Sequence, residues 1–310
     1  MSKQNIILGI IFVILLGLAF AYQPLRNWYE DYHKDKNFFA NINFGDVNKI
    51  EIDGEKKIVL IREGDRWKIE GTKDFYLNER RAEKIKNAFE DAKKSNLEVI
   101  SENKEKKNQF LTNDGKGTRV KLFKDNNLIC DFIVGKLASD FRSTYISKND
   151  IDKTYLIKAN FDGAFNHNDW YDKTIFNTSK DKITKIRMQY PDREFTIEKI
   201  KDGDKEKWEG VSPYKFSVDE EKVNKILDIM TYLRAAKIPE QKFEGTGLEK
   251  HLIIVEASGD DVDNVIMIGD AYKDENGEEL YYAKKGDSDN IYLITKKQRD
   301  ELDKTIRDLR

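Results

Sequence analysis

Residues 60–67, LIREGDRW, have a counterpart at residues 200–208, IKDGDKEKW, and this pair indicates the architecture of the chain. In each stretch a strand-forming run leads into a Gly-Asp pair and then a tryptophan, Trp67 or Trp208. Gly-Asp between apolar alternating runs predicts a hairpin turn, because glycine adopts positive φ without a steric penalty. The tryptophans stand about 140 residues apart, a period too long for a solenoid repeat. The sequence therefore predicts a duplicated domain.

A helix is predicted after each tryptophan, and the two helices align without a gap. The candidate N-caps are Asn78 and Asp219, each followed by an acid in the first turn, where the helix dipole favours it. Apolar residues then recur at 3-4-3 spacing, which lines one face of a helix and indicates packing against a sheet. The two stripes, which we interpret as core, are Ala82, Ile85, Phe89 and Ala92, and Val223, Ile226, Met230 and Leu233.

Both copies become rich in β-strands after the helix. Short strands joined by polar turns favour antiparallel sheets. The predicted strands are Val120–Phe123, Leu128–Val134, Thr144–Ile146 and Thr154–Ile157, answered by Leu252–Val255, Val265–Ile268, Leu280–Ala283 and Ile291–Ile294, with a closing helix at Lys296–Leu309. The predicted fold class is α+β: an N-terminal transmembrane helix followed by two tandem copies of a domain with an antiparallel sheet and one packed helix. The predicted domains are a membrane anchor at 1–28, a first repeat with the junction at 29–176 and a second repeat at 177–310.

Residues 6–22 form an uncharged apolar run, IILGIIFVILLGLAFAY. As a helix this run would be about 25 Å long, at the short end of what spans a bilayer. It predicts a retained anchor that contacts the lipid bilayer through residues 6–22. A cleaved signal peptide is the alternative, because Ala19-Phe20-Ala21 has the A-x-A form. The expected localisation is the cell membrane, single-pass with an extracytoplasmic body, although flanking charge alone does not decide the orientation.

Charge is balanced along the chain, with 55 Lys and Arg against 57 Asp and Glu and a net charge of −2. Positive and negative residues alternate, so no basic face is predicted for a nucleic-acid backbone. The 17 Phe, 14 Tyr and 4 Trp favour folded cores over disorder. We therefore expect no nucleic-acid partner and interpret the many lysines as solvated surface.

The chain has one cysteine, Cys130, inside the apolar run Leu128–Val134. A single thiol cannot form an internal disulfide, and no CxxC or Cys/His cluster is present for zinc. The chain is therefore expected to fold without disulfides, which fits the cytoplasm or an envelope space that does not depend on them. We interpret Cys130 as a buried core residue rather than a reactive nucleophile.

Motifs for catalysis or metal binding are absent from the sequence. His33, His167 and His251 stand far apart, and none has a second ligand at i+3 or i+4. Two acidic loops, 260–264 and 274–279, lack the ligand pattern of an EF-hand and predict ordinary turns. We therefore predict a protein that is not an enzyme, with no catalytic residue, no cofactor and no metal site.

The stretch from Phe165 to Lys173, FNHNDWYDK, is richer in aromatic and polar residues than a linker requires. Its aromatics are expected to pack the two copies together, and Trp170, Tyr171 and Asp172 are predicted as interdomain or partner contacts. A ligand groove at this junction is the alternative, because interdomain clefts are favoured places for binding.

The predicted N-terminal membrane segment, the hairpin at 60–67, the duplicated body and the junction Trp170–Thr174 together resemble a family of bacterial proteins described only as a domain of unknown function. The resemblance covers nearly the whole chain, although Tyr171 stands where the family more usually has arginine. Members are commonly encoded beside ABC-transporter permeases and gliding-motility-type auxiliary proteins. The resemblance implies a body outside the cytoplasm, a role accessory to a transporter and no catalytic residues.

Two functions are carried forward from the sequence. The first is a non-catalytic accessory or scaffold subunit of an envelope ABC transport system, whose partners are the permease or auxiliary subunits. The second is a binding module for an envelope glycan or lipid, which uses a cleft between the two repeats.

Overall fold

The computed structural model describes residues 3–32, 35–149, 151–203, 205–250 and 253–310, with the side chains of residues 12–28 in the first helix. The chain divides into two compact units. The first comprises Met1–Glu70 and Glu79–Trp170, and the second comprises Gly71–Asn78 and Tyr171–Arg310. The short segment 71–78 therefore belongs to the second unit, although the chain on both sides of it belongs to the first.

The first unit is built on an eight-stranded sheet in which all neighbours pair antiparallel. Its strands are β1 Lys49–Asp53, β2 Lys57–Glu63, β3 Arg66–Ile69, β4 Leu97–Ser101, β5 Thr118–Lys124, β6 Asn127–Leu137, β7 Thr144–Lys148 and β8 Thr154–Ile157. Their order in the sheet is β3-β2-β1-β5-β6-β7-β8-β4. Alternating buried and exposed positions along β2 and β5 fit a sheet with one face toward a core.

The core of the first unit is aromatic. Its helices are α1 Lys3–Tyr32, α2 Glu79–Lys94, α3 Lys107–Phe110 and α4 Phe161–Phe165. Phe89 of α2 has its ring centroid 6.1 Å from that of Phe132 in β6 and 5.1 Å from that of Phe161 in α4. Phe39 lies 5.0 Å from Phe132 in an edge-on arrangement. Edge-on and offset pairs add to the stability that burial of these rings supplies.

The second unit repeats this plan. Its strands are β9 Thr174–Asn177, β10 Ile183–Gln189, β11 Glu194–Asp202, β12 Lys205–Ser212, β13 Phe216–Ser217, β14 Tyr232–Arg234, β15 Ile253–Gly259, β16 Val262–Lys273, β17 Glu279–Lys285 and β18 Ile291–Thr295. Eight of them form an antiparallel sheet in the order β13-β12-β11-β10-β15-β16-β17-β18, and β14 pairs with β9. Its helices are α5 Glu220–Thr231, α6 Lys296–Leu302 and α7 Ile306–Leu309.

Segment 71–78 completes the core of the second unit. Phe75 is buried, and its ring centroid lies 5.6 Å from that of Tyr292. The same core contains Val223 and Ile226 of α5, together with residues of the sheet. The packing partners of Phe75 therefore come from parts of the chain that are far from it in sequence.

Seven strands occupy equivalent places in the two large sheets, in the orders β3-β2-β1-β5-β6-β7-β8 and β12-β11-β10-β15-β16-β17-β18. The glycines of both predicted hairpin turns have positive φ, +60° at Gly64 and +66° at Gly203. Asp204, the second residue of the later turn, lies outside the described residues. Asp219 caps α5 by accepting a hydrogen bond from the Glu221 N–H.

The eight strands predicted after the helices are all present, and seven of them extend one to eight residues beyond the prediction. The run Thr154–Ile157 is β8 itself, and Leu128–Val134 lies inside β6. Leu252, which opens one predicted strand, lies outside the described residues. The apolar periodicity of a strand therefore locates it well, whereas its ends depend on its neighbours in the sheet.

The predicted N-terminal transmembrane helix is wrong. Among the residues that the structure describes, no helix combines the length and apolar character needed to cross a membrane. Of the predicted bilayer-contacting residues 6–22, residues 6–11 have no described side chains. The apolar run Phe12–Tyr22 would measure ~16 Å as a helix, about half the hydrocarbon thickness, and Gln23 and Pro24 follow it. The predicted single-pass membrane localisation with an extracytoplasmic body is corrected on the same finding.

The prediction of one packed helix in each repeat also needs correction. Each unit contains additional short helices beside α2 or α5. The single closing helix predicted at Lys296–Leu309 is in fact two, because α6 ends at Leu302 and the Thr305 side chain caps α7. Both short helices begin with a capping box, which supplies partners for their first backbone N–H groups.

Candidate functional site

The junction residues predicted as contacts belong to different units. Trp170 ends the first unit with its side chain buried, whereas Tyr171 and Asp172 open the long segment of the second unit. The Tyr171 ring centroid lies 5.2 Å from that of Phe75, and the Asp172 N–H donates to the Tyr76 carbonyl at 2.8 Å. Tyr171 and Asp172 thus bind segment 71–78 within the second unit. Their predicted role as interdomain or partner contacts, like that of Trp170, stays a prediction.

A cleft of about 730 Å³ opens in the first unit. Its volume falls within the range of small-molecule sites in proteins, about 300–1,000 Å³. Four stretches of chain line it: the turn between β1 and β2, the loop before β5, part of β6, and the segment after α4. The lining residues are Ile52, Asp53, Gly54, Glu55, Lys56, Leu111, Asp114, Gly115, Lys116, Gly117, Thr118, Val134, Gly135, Phe165, Asn166, His167, Asn168 and Trp170.

Glycine shapes the floor of this cleft. A Cβ atom at Gly117 would lie 2.2 Å from the Leu111 carbonyl oxygen, and one at Gly135 would lie 2.2 Å from the Phe110 carbonyl oxygen. Real Cβ atoms do not approach a carbonyl so closely, so both positions require glycine. The two glycines let the backbone of residues 110–112 run directly against the sheet.

Asn166 is fixed in the cleft wall by three hydrogen bonds. Its side-chain oxygen accepts from the Thr118 hydroxyl at 2.6 Å, and its Nδ2 donates to the Asp162 carboxylate at 2.7 Å and to the Gly135 carbonyl at 3.3 Å. These bonds use both ends of the amide and therefore orient it. The wall is preorganised before any ligand is present.

A second amide joins two sides of the cleft. Asn168 Nδ2 donates to the Glu55 carboxylate at 2.9 Å, which links the segment after α4 to the turn between β1 and β2. Both side chains are exposed, so their remaining donors and acceptors face solvent. This pair is placed to exchange its mutual bond for bonds to a ligand.

Trp170 forms an apolar part of the lining and is held by Arg81 of α2. The indole is 4% exposed, and the Arg81 guanidinium carbon lies 5.7 Å from the ring centroid. The Arg81 Nη1 also donates to the Gly163 carbonyl at 2.9 Å. Arg81 thereby connects α2 to Gly163 and to Trp170. A cation over an indole face is a favourable contact.

His167 lies at the rim of the cleft with an exposed side chain. Desolvation lowers the pKa of its imidazole, and the positive charges of Arg81 and Lys84 lower that pKa further. His167 is therefore neutral at pH 7. A neutral imidazole offers one donor and one acceptor, which suits recognition of hydroxyl groups.

The interpretation of Cys130 as a buried residue and of 274–279 as a turn is confirmed, whereas in the predicted turn 260–264 only Asp260 and Asp261 form the turn and residues 262–264 belong to β16. Cys130 is buried, and desolvation raises the pKa of its thiol to about 12. In the loop at 274–279, the Asp274 carboxylate accepts from the N–H groups of Asn276 and Glu278 at 2.9 and 2.7 Å, as a turn residue does. Within the described ranges, no three His, Cys, Asp or Glu side chains gather as a metal site. His33 and His251 lie outside those ranges.

Helix α1 carries an exposed apolar surface, which is a second candidate site of interaction. Phe12, Val13, Ile14 and Leu15 are 64%, 67%, 55% and 59% exposed. Successive residues point about 100° apart around a helix, so four consecutive exposed positions mean that every side of this stretch is open. Large contiguous apolar surfaces on a protein mark sites of interaction.

The sequence draws attention to the residues of one wall of the cleft, without predicting the cleft itself, and gives no indication of the opposite wall. The stretch 165–173 is richer in aromatic and polar residues than a linker requires, and five of its residues line the cleft: Phe165, Asn166, His167, Asn168 and Trp170. The opposite wall, 53–56 and 114–118, was missed because it comes from two turns that are distant in sequence. The pair Gly115 and Gly117 directly before a strand is the one signal that could have indicated a close backbone approach there.

Two segments of the chain, 67–210 and 208–310, match a family described as Domain of unknown function (DUF4340). The matches begin at Trp67 and Trp208, and they confirm the internal repeat predicted from the sequence. No curated protein and no solved structure matches the chain. The family description names no activity and no ligand.

Proposed function

We propose that this chain, which belongs to the DUF4340 family, is a non-catalytic accessory subunit that docks onto a larger protein assembly through helix α1. The observation that carries the proposal is the apolar surface of residues 12–15, which is exposed on every side of the helix. An all-round apolar helix is stable in a folded assembly only when other apolar groups cover it. The non-catalytic part of the proposal rests on the sequence, which contains no catalytic motif.

The partner that fits this helix is a protein with apolar helices of its own. Burial of one large apolar side chain contributes about 1.5–3 kcal/mol, so a few such residues at an interface suffice for a stable contact. The ABC transport system expected from the sequence supplies a partner of this kind in its permease. The permease as the partner of α1 is part of this proposal.

Co-purification tests the docking. The tagged full-length chain is isolated from its native cells in a mild detergent, which keeps the apolar helix from self-association, and the proteins that come with it are identified by mass spectrometry. A triple variant, Val13→Ser, Leu15→Ser and Leu18→Ser, removes apolar surface. Its matched control, with isoleucine at the same three positions, keeps that surface.

The proposal expects a permease and its ATPase with the wild type and with the isoleucine control. The serine variant should recover them at least tenfold less, since the loss of even one such apolar contact weakens binding by about a factor of ten. Recovery of the bait alone, under conditions that keep a known transporter intact, overturns the accessory role. Equal recovery with the serine variant overturns docking through α1.

A further inference from the structure

The lining of the first-unit cleft is rich in polar side chains. Nine of its eighteen residues have polar or charged side chains, four are glycines and five are apolar. An acyl chain in such a cleft would leave most of the polar groups without hydrogen-bond partners, and burial of an unpaired polar group is unfavourable. The composition therefore argues against a lipid tail.

The charges of the lining nearly cancel. Asp53, Glu55 and Asp114 contribute three carboxylates, and Lys56 and Lys116 contribute two ammonium groups, all on exposed side chains. A site for a phosphate or another anion would show an excess of positive charge, as recognition of anions relies on Arg and Lys. The mixture instead offers donors and acceptors side by side, which suits a neutral ligand that carries both.

The polar groups sit beside an apolar wall. Leu111 is 42% exposed in the lining, and Trp170, which is 4% exposed, lines the same cleft. A sugar ring has a C–H face that packs on apolar and aromatic groups, and hydroxyl groups at its edge that need hydrogen bonds. Ligand sites in general combine such apolar contact with a few oriented polar groups. The fixed Asn166 amide supplies one oriented group at low entropic cost.

We propose that this cleft binds a neutral glycan. Asn168 and Glu55 exchange their mutual hydrogen bond for bonds to sugar hydroxyls, and Lys56 donates from the adjoining turn. Leu111 and Trp170 contact the C–H face of the ring. The glycan site thus lies within the first unit and not in the cleft between the repeats that the sequence suggests. This site does not depend on the accessory role.

Ligand-detected NMR on the purified full-length chain tests the proposal. The chain is purified in a detergent without a sugar headgroup, so that the detergent does not compete with the sugars for the cleft. The probes are maltotriose, cellotriose and chitotriose, with inorganic phosphate and laurate as the anionic and the apolar comparison. The cleft variant is Lys56→Ala with Asn168→Ala, and its matched control is Lys57→Ala, a neighbouring exposed lysine outside the lining.

The expected result is saturation transfer to at least one of the neutral trisaccharides. Binding should weaken about tenfold or more in the cleft variant, which loses two hydrogen-bonding groups, and should be unchanged in the Lys57→Ala control. A second variant, Lys56→Trp, fills the cleft from an exposed position and should abolish binding with an unchanged unfolding midpoint.

Three results overturn the proposal. The first is that no neutral trisaccharide binds at millimolar concentration. The second is that binding is as strong in the cleft variant as in the control, which places the sugar elsewhere. The third is that only laurate or only phosphate binds, which identifies the cleft as a site of a different chemistry.

Discussion

Replacement of Arg81 with methionine removes the guanidinium that holds Trp170 against the cleft, and we expect it to lower the free energy of unfolding by about 2 kcal/mol. The hydrogen bond from Arg81 to the Gly163 carbonyl is charge-assisted and contributes about 1.5–3 kcal/mol. The contact with the Trp170 ring adds about 0.5–2 kcal/mol. Methionine keeps most of the apolar stem, so little packing is lost.

A cost of burial offsets part of this gain. Arg81 is 8% exposed, and desolvation lowers the pKa of its guanidinium, which shows that the site disfavours the charge. Methionine relieves that penalty. The net loss of about 2 kcal/mol is therefore smaller than the sum of the two contacts.

Urea denaturation of the full-length chain measures the loss, with Arg80→Met as the matched control. Arg80 is the neighbouring residue on α2 and is exposed, so its replacement should cost less than about 0.5 kcal/mol. The Arg81 variant also removes a positive charge near His167. NMR titration should therefore show the pKa of His167 rising toward its ordinary value of 6.5.

The sign of the pH effect follows from the same residue. The pKa of His167 is lower in the folded chain than in the unfolded chain, so the unfolded chain binds more protons in acid. Stability therefore falls as the pH drops below about 6.5, and it should fall less steeply in the Arg81 variant. Equal stability of the two arginine variants, or an unchanged pKa of His167, would refute the assigned role of Arg81.

Two further predictions concern buried side chains. Cys130 should react with a thiol reagent at pH 8 only after unfolding. Burial raises the pKa of its thiol from 9.0 to about 12, so the stability that the thiol contributes is lost as the pH rises through that range. The free energy of unfolding should therefore fall more steeply in that range for the wild type than for Cys130→Ala. Phe132→Ala should cost about 4 kcal/mol in chemical denaturation, since Phe132 is fully buried, whereas Phe141→Ala, at a 77% exposed residue, should cost less than about 0.5 kcal/mol. Similar costs for the two phenylalanines would contradict the aromatic core.

The repeated parts of the fold could be predicted because they depend on local pattern. Ile85 and Phe89 recur at helical spacing and are buried in α2, and the Gly-Asp pair at 64 and 65 forms a turn with positive φ. Each of these features depends only on residues that are close to one another in sequence. Duplication strengthened the inference, since the same pattern occurs twice.

The parts that were missed depend on which distant segments meet. Strand β4 pairs with β8, about 60 residues later, and the sequence of Leu97–Ser101 carries no sign of that pairing. The buried Arg81 lies on the core side of α2, where an apolar residue fits the helical pattern better. Only the tertiary structure supplies the Gly163 carbonyl that accounts for an arginine there.

The placement of segment 71–78 in the second unit has a consequence for the order of synthesis. Phe75 leaves the ribosome about 100 residues before Tyr171 and about 200 residues before Tyr292, the rings on which it packs. Segment 71–78 is therefore synthesised before the residues that cover it, and folding of the second unit requires closure of a long loop of chain. A gene fragment that begins at Tyr171 encodes a core without Phe75, and one that ends at Trp170 leaves Phe75 with nothing to cover it.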